Sequence, residues 1–246
     1  MAAHHAPGYA PGKWLTYEAQ SLRDIFQTID AQSCPSIFNF HMHTSCSDGR
    51  LTPEDLFEQA ISLGLKAISI TDHHNIRGYR RAMKWLEDWQ WHHPSRLRGN
   101  RNGHISSSIP RLFTGVEITA SMLDTDVHIL GYGFDQSHDA IAPYLRGHAP
   151  RGHSRLAVKV VEAIKQAGGI PVLAHPARYR RSADELIAES VNIGIQGIEV
   201  YYAYGNPAVW HPCPKQTPRM ETLADLHQLL RTCGTDTHGL NLTRRL

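Results

Sequence analysis

The sequence predicts an α/β fold, with a barrel favoured over an open sheet. Three observations carry this expectation. About seven short apolar strands are mostly separated by amphipathic helices in one continuous pattern. The 246 residues contain no linker and no internal repeat, which suits one large domain. Polar residues recur at the carboxyl ends of several strands, where α/β barrels build their sites.

Met1–Lys13, rich in Ala, Gly, Pro and His, reads as a tail. A helix follows, because Leu22, Ile25, Phe26 and Ile29 share one face. Residues 1–35 are therefore expected to be a flexible tail plus an N-terminal helix, and 36–246 the main domain. Ser36–Thr44 reads as a strand and Ser47-Asp48-Gly49 as a loop. Thr52-Pro53-Glu54-Asp55 opens a helix with a cap, a first-turn Pro and early acids, and Gly64 stops it. Ala67–Thr71 is a strand, Ile76–Trp91 a helix and His92–Pro110 a polar loop. Strands at Arg111–Thr119 and Asp126–Tyr132 flank a segment short enough for a hairpin turn. Helices at Ser154–Ala167, Ser182–Asn192 and Pro218–Leu229 alternate with strands at Gly169–Ala174, Gln196–Tyr202 and Arg231–Thr235. Thr243-Arg244-Arg245-Leu246 is too short for a closing helix, so a truncated chain or an unpacked final turn is an expectation here.

Composition narrows the function. A net charge of +2 gives no global signal for nucleic acid or membrane. The longest apolar stretches fall far short of the ~20 residues that span a bilayer, and Met1–Trp14 lacks the pattern of a secretory signal. A cytoplasmic protein is expected. Four cysteines without CxxC spacing read as free thiols. The anomaly is 17 histidines, which point to a metal centre with nitrogen and oxygen ligands.

Their placement sharpens the expectation. His41 and His43 stand two apart on a strand and so share a face, with Asp48 at the turn that follows. Asp72-His73 follows an apolar strand, and Asp72 is expected to orient loop groups. Glu117 lies inside an apolar strand, where a buried carboxylate needs a cation. A hairpin would bring His128 to the same end of the fold as Glu117. His175 ends one strand, and Asp236 and His238 follow another. Each residue taken singly fits a structural role, but seven at or beside strand ends, with Asp48 and His73 in adjacent loops, together fit a metal site.

The motifs HMHTSCSDG, ITDHHN, GVEI, VHILGYGF, LAHP, GIEVYY and GTDTHG, in this order, resemble the polymerase and histidinol phosphatase (PHP) family over roughly Ile37–Leu246. The resemblance implies a distorted seven-stranded (β/α) barrel with two or three divalent ions at its carboxyl-end rim. It implies His41, His43, Glu117 and Asp236 around one ion, and His128 and His175 with a shared Glu117 around a second. Asp48, His73 and His238 would hold a third. Zn, Mn, Mg and Fe all suit such ligands. His74 and Thr237 depart from the usual pattern, and neither removes a ligand.

Divalent ions outweigh three carboxylates, so a phosphate group is the complementary substrate. The expected activity is metal-dependent hydrolysis of a small phosphomonoester or nucleotide through a hydroxide bridging two ions, with Asp236 orienting or deprotonating it. Arg178, with Arg180, could clamp the phosphate, and Arg151 and Arg155 flank a helix start that favours an anion. Each arginine taken singly reads as solvated surface. Arg96, Arg98, Arg101 and Arg111 could form a basic rim, and Tyr201 or Tyr202 could stack a base. Some resembling relatives carry an inserted subdomain where only 46 residues separate His128 from His175 here, which implies a more open pocket. The alternatives are an exonuclease on short RNA or DNA, an amidohydrolase-type C–N hydrolase, and a metal-stabilised interaction module.

Overall fold

The computed structural model describes residues 15–92 and 109–246. The expected tail at Met1–Lys13 and the arginines 96, 98 and 101 lie outside the described residues.

The fold is α/β. Helix α1 (Tyr17–Phe26) leads into β1 (Phe38–Asn39), α2 (Pro53–Leu63), β2 (Ala67–Ser69), α3 (Arg77–His92) and β3 (Arg111–Phe113). Then come β4 (Gly115–Met122), β5 (Thr125–Tyr132), α4 (Ala157–Gln166), β6 (Ile170–Leu173), α5 (Ala183–Asn192), β7 (Gly197–Tyr201), α6 (Thr217–Leu226) and β8 (Leu230–Cys233). Local chemistry sets several boundaries. Thr52 and Ser182 cap α2 and α5 by accepting from Asp55 N and Glu185 N, and Gly64 ends α2 at φ 71°. Helix α1 shares the core with the strands: Phe26 packs edge-on against Phe40 and Tyr132, and Thr16 N donates to Gly168 O at 3.0 Å.

The strands form two sheets that do not close on each other, so the expected α/β class is seen and the distorted seven-stranded barrel is not shown. Strands β1-β2-β3 make a parallel sheet, while β4-β5-β6-β7-β8 make a second, antiparallel at β4–β5–β6 and parallel thereafter. The expected strand Arg111–Thr119 splits at Thr114, and this break divides the sheets. Thr114 N donates to Glu18 Oε1 at 2.5 Å, and its carbonyl accepts from Gly133 N. β3 therefore pairs with β2, and β4 with β5. The expected strand Ser36–Thr44 is likewise paired as a strand only at Phe38–Asn39. Beyond it the chain meets the end of β8 through single bonds, including Phe40 N to Cys233 O and Asp236 N to His41 O. Isolated bridges Met42–Thr237 and His73–Glu117 link the sheets at the carboxyl ends.

The hairpin expectation agrees with β4 and β5, which pair from Gly115–Tyr132 to Met122–Thr125. Leu123 and Asp124 turn the chain, both at positive φ, as a two-residue turn of this hand requires. Where β8 leaves the sheet, a Cβ on Gly234 would lie 2.2 Å from His41 Cβ and 2.6 Å from His41 N. Only glycine lets the two segments approach so closely. Gly234→Ala should therefore destabilise the protein by about 1–3 kcal/mol. A thermal melt unchanged from wild type would refute this account of the contact.

Candidate metal centre

The fold brings all nine predicted side chains together from both sheets, seven from the segments that follow strands and two, Glu117 and His128, from within strands. His41 and His43 come from the segment after β1, Asp48 from its loop, and His73 from the loop after β2. Glu117 is on β4, His128 on β5, His175 after β6, and Asp236 and His238 after β8. Three groups of ligand atoms lie within 4.8 Å of one another: His41, His43, Glu117 and Asp236; His43, Asp48, His73 and His238; and His73, Glu117 and His128. His175 Nε2 stands 3.4 Å from Glu117 Oε1, beside the third group.

Glu117 is the hub. Its Oε2 lies 3.1 Å from His41 Nε2 and 3.0 Å from His43 Nε2, and its Oε1 lies 2.7 Å from His128 Nδ1. His41 Nε2 is hydrogen-bonded to Glu117 Oε2, but the other contacts are close without being hydrogen bonds. The buried His43, His128 and His175 ring nitrogens that face these acids, and Glu117 Oε1 itself, have no aligned partner. Buried polar atoms are normally paired. Lone pairs that crowd one space without pointing at each other suit a cation between them, and the nitrogen–carboxylate donor set fits a divalent metal.

Glu199 is a fully buried carboxylate that the sequence reading did not single out. Its Oε1 is 3.0 Å from His41 Nδ1, and its Oε2 accepts from His175 N at 3.0 Å. The signal was present in GIEVYY: an acid inside an apolar strand, as at Glu117. By holding Nδ1, Glu199 leaves His41 Nε2 aimed at Glu117. Asp72 behaves as expected of a loop organiser, accepting from Thr44 N, Thr44 Oγ1 and Ser47 Oγ at 2.7 Å each.

Asp236 divides its two oxygens between two tasks. Oδ1 faces His41, His43 and His238 at 3.2–3.5 Å. Oδ2 accepts from Tyr202 Oη at 2.7 Å, Arg245 Nε at 2.8 Å and Arg178 at 3.2 Å. Arg245 was not predicted as a contact of the site, and Tyr202 was expected there only as a surface for stacking a base. Tyr201 and Tyr202 are both buried, so neither offers a free face for stacking. Arg178 is brought to the centre with its side chain 42% exposed. Arg155 instead pairs with Asp126 at 2.5 Å. Arg111 lies over the Phe113 ring at 4.4 Å, at the amino end of β3, and so does not contribute to a rim at the carboxyl end.

The electrostatics follow from this crowding. Burial by itself would depress His43, but the carboxylates of Asp236 and Glu117 outweigh it and raise the ring to about 9. His41 is also raised, burial being overcome by Glu199, Glu117 and Asp236. Burial would raise Glu117, yet His128 and His41 hold it well below the usual carboxylate range. Burial takes His73 down to about 4, with the neighbouring His43 assisting.

A metal ligand must be a neutral imidazole. Because His43 carries a proton below about 9, metal uptake at neutral pH should release protons, and affinity should rise with pH up to about that value. Metal titrations in buffers of different ionisation enthalpy measure the release; zero protons released would contradict it. Glu199→Gln should weaken metal binding by about 10–100-fold, read by competition with a chelator.

Comparison with known proteins identifies the family. A relative, the 5′-3′ exoribonuclease Rnm of Salmonella typhimurium, is 24% identical over 82% of this chain and 85% of its own length. That alignment runs over 273 positions, more than this whole chain, so the relative contains residues that this chain lacks. A proposed metal-dependent phosphoesterase of Bifidobacterium adolescentis superposes with a TM-score of 0.63 and 26% identity, covering 85% of this chain and 93% of that one. An amidohydrolase of Chromobacterium violaceum has the same TM-score at 20% identity, over 85% and 90% of the two chains, and shares the fold. The model of the PHP domain matches residues 39–224, which include His41, His43, Asp48, His73, Glu117, His128 and His175. With that match spanning most of the sequence, the chain belongs to the PHP domain family.

Proposed function

We propose that the chain is a metal-dependent phosphoesterase that acts on the 5′ end of a short RNA, its domain at 36–246 holding two or three divalent ions. The carrying observation is that ring nitrogens of His43, His73, His128 and His175 converge with Glu117 Oε1 in one buried space and have no hydrogen-bond partner there. In this reading His41, His43, Glu117 and Asp236 hold one ion. Glu117, His128 and His175 hold a second, and Asp48, His73 and His238 a third. His43 and His73 each lie within reach of an additional group. Bound divalent ions would polarise the phosphoryl oxygens and make water a competent nucleophile at neutral pH.

The protein's own groups would then bind and orient. Arg178, exposed beside Asp236, is suited to a phosphate oxygen that the ions do not reach. Arg155, engaged by Asp126, is the weaker of the two predicted substrate contacts. Asp236 is better suited to hold than to deprotonate. Burial would raise its carboxyl, but His41 and His43 keep it well below the usual range, and its Oδ2 already accepts three donors.

The Salmonella relative, matched over most of both chains, favours RNA as the substrate. A small phosphomonoester or mononucleotide is the second reading, supported by the phosphoesterase name of the Bifidobacterium structure. The likeness to an amidohydrolase is one of fold and does not favour C–N hydrolysis.

Metal-loaded protein incubated with a 5′-phosphorylated oligoribonucleotide should shorten it from the 5′ end. Phosphate release from nucleoside monophosphates without shortening would instead support the second reading. Neither activity in protein with full metal content would sink both. His41→Ala and Glu117→Ala should each lose metal and lower turnover on the order of a hundredfold; activity surviving in metal-depleted wild type would contradict the mechanism.

A further inference from the structure

We infer that the exposed segment Leu145–Leu156 is a contact surface for the phosphate backbone of a single-stranded nucleic acid whose terminal nucleotide occupies the metal centre. This rests on the RNA reading above and extends it beyond the reacting nucleotide. From Ala140 to Val161 the sequence contains no Asp or Glu, yet it carries Arg146, Arg151, Arg155 and Lys159, with His148 and His153. Two of these cations are already committed: Arg155 pairs with Asp126 at 2.5 Å and Lys159 with Glu162 at 2.7 Å. Arg146 and Arg151 are exposed, and neither has a carboxylate partner among the described residues.

Position distinguishes this pair from ordinary surface arginines. Gly147 N donates to His74 O at 2.7 Å, and His74 N in turn donates to Glu117 O at 2.9 Å. Arg146 therefore adjoins Gly147, which is tied to the backbone of Glu117 through His74, the residue after His73. The far end of the segment is fixed as well, since Leu156 bridges Ser121 on β4. Gly147 and Gly152 turn the chain at φ 85° and 55°, with open space where a side chain would be. The segment is thus anchored at both ends and clear in between.

Further arginines face the acidic tip of the β4–β5 hairpin. There a cleft of about 1050 Å³ is bounded by Asp124–Asp126 and by Arg178–Ser182. Arg178 reaches from it to Asp236, and Arg180 has no carboxylate partner among the described residues. One phosphate group needs only the ions and Arg178. Unpaired guanidiniums farther out suit a substrate that carries more phosphates, as a strand does.

The test compares the full metal-loaded chain with its R146A/R151A variant, using a 5′-phosphorylated oligouridylate and fluorescence anisotropy over a series of salt concentrations. Affinity at low salt should fall about tenfold. The slope of log K against log salt should fall by roughly 1.4, since each single-strand phosphate contact contributes about 0.7. Metal content and melting temperature check the fold, and R146K/R151K should retain the wild-type slope. An unchanged slope and affinity in R146A/R151A would overturn the inference and leave the reading of the metal centre intact. Wild-type protein that hydrolyses mononucleotides but does not bind the oligonucleotide would overturn both the inference and the RNA reading. Loss of binding to anionic phospholipid vesicles, with oligonucleotide binding intact, would assign the surface to a membrane and overturn it as well.

Discussion

Three carboxylates buried on or just beyond the strands of the five-stranded sheet set the terms for the rest of this structure. Glu117, Glu199 and Asp236 are each nearly inaccessible, and a buried charge is tolerated only when it is paired. Histidine supplies much of the pairing, and the arrangement differs at each acid. Glu199 is satisfied within the protein by His41 and the His175 backbone. Asp236 is satisfied on one oxygen and open to imidazoles on the other. Glu117 has an oxygen with no aligned partner at all, so it is where the protein most needs a cation.

That need is built into the backbone. His175 and Asp236 sit at φ 29° and 52°, conformations that L residues seldom adopt and that cost on the order of 1–3 kcal/mol each. His175 is held there in part by the Glu199 contact to its amide, and Asp236 by its amide bond to His41 O. Gly234 lets the β8 end press against His41, and Gly49 makes an equally close approach to the His43 carbonyl. The sheets exchange bonds mainly beyond their assigned strands, so the centre lies where the two halves of the fold meet.

Charge also grades outward from the centre. Arg178, Tyr202 and Arg245 converge on one oxygen of Asp236, which fixes the carboxylate and leaves Arg178 partly exposed. Arg245 comes from a segment that reads in the sequence as too short for a closing helix. It is nevertheless tied down, because His238 N donates to Arg245 O and Gln59 bonds both Leu240 O and Leu242 N.

Much of the site was legible in the residues alone. Spacing put His41 and His43 on one side of an extended segment, and hairpin geometry brought His128 to Glu117, because strand periodicity and turn length are local properties. Helix boundaries at Thr52, Gly64 and Ser182 were legible for the same reason, since caps act within one turn. The break at Thr114 was not, because it is made by Glu18, 96 positions away. Nor was the division of labour at Asp236, which depends on Arg178, Tyr202 and Arg245 arriving from three separate segments. Sequence determined which groups could bind a metal. Tertiary packing alone decided which carboxylate would be left unpaired among them, because hydrogen-bond satisfaction depends on distances that only the folded chain defines.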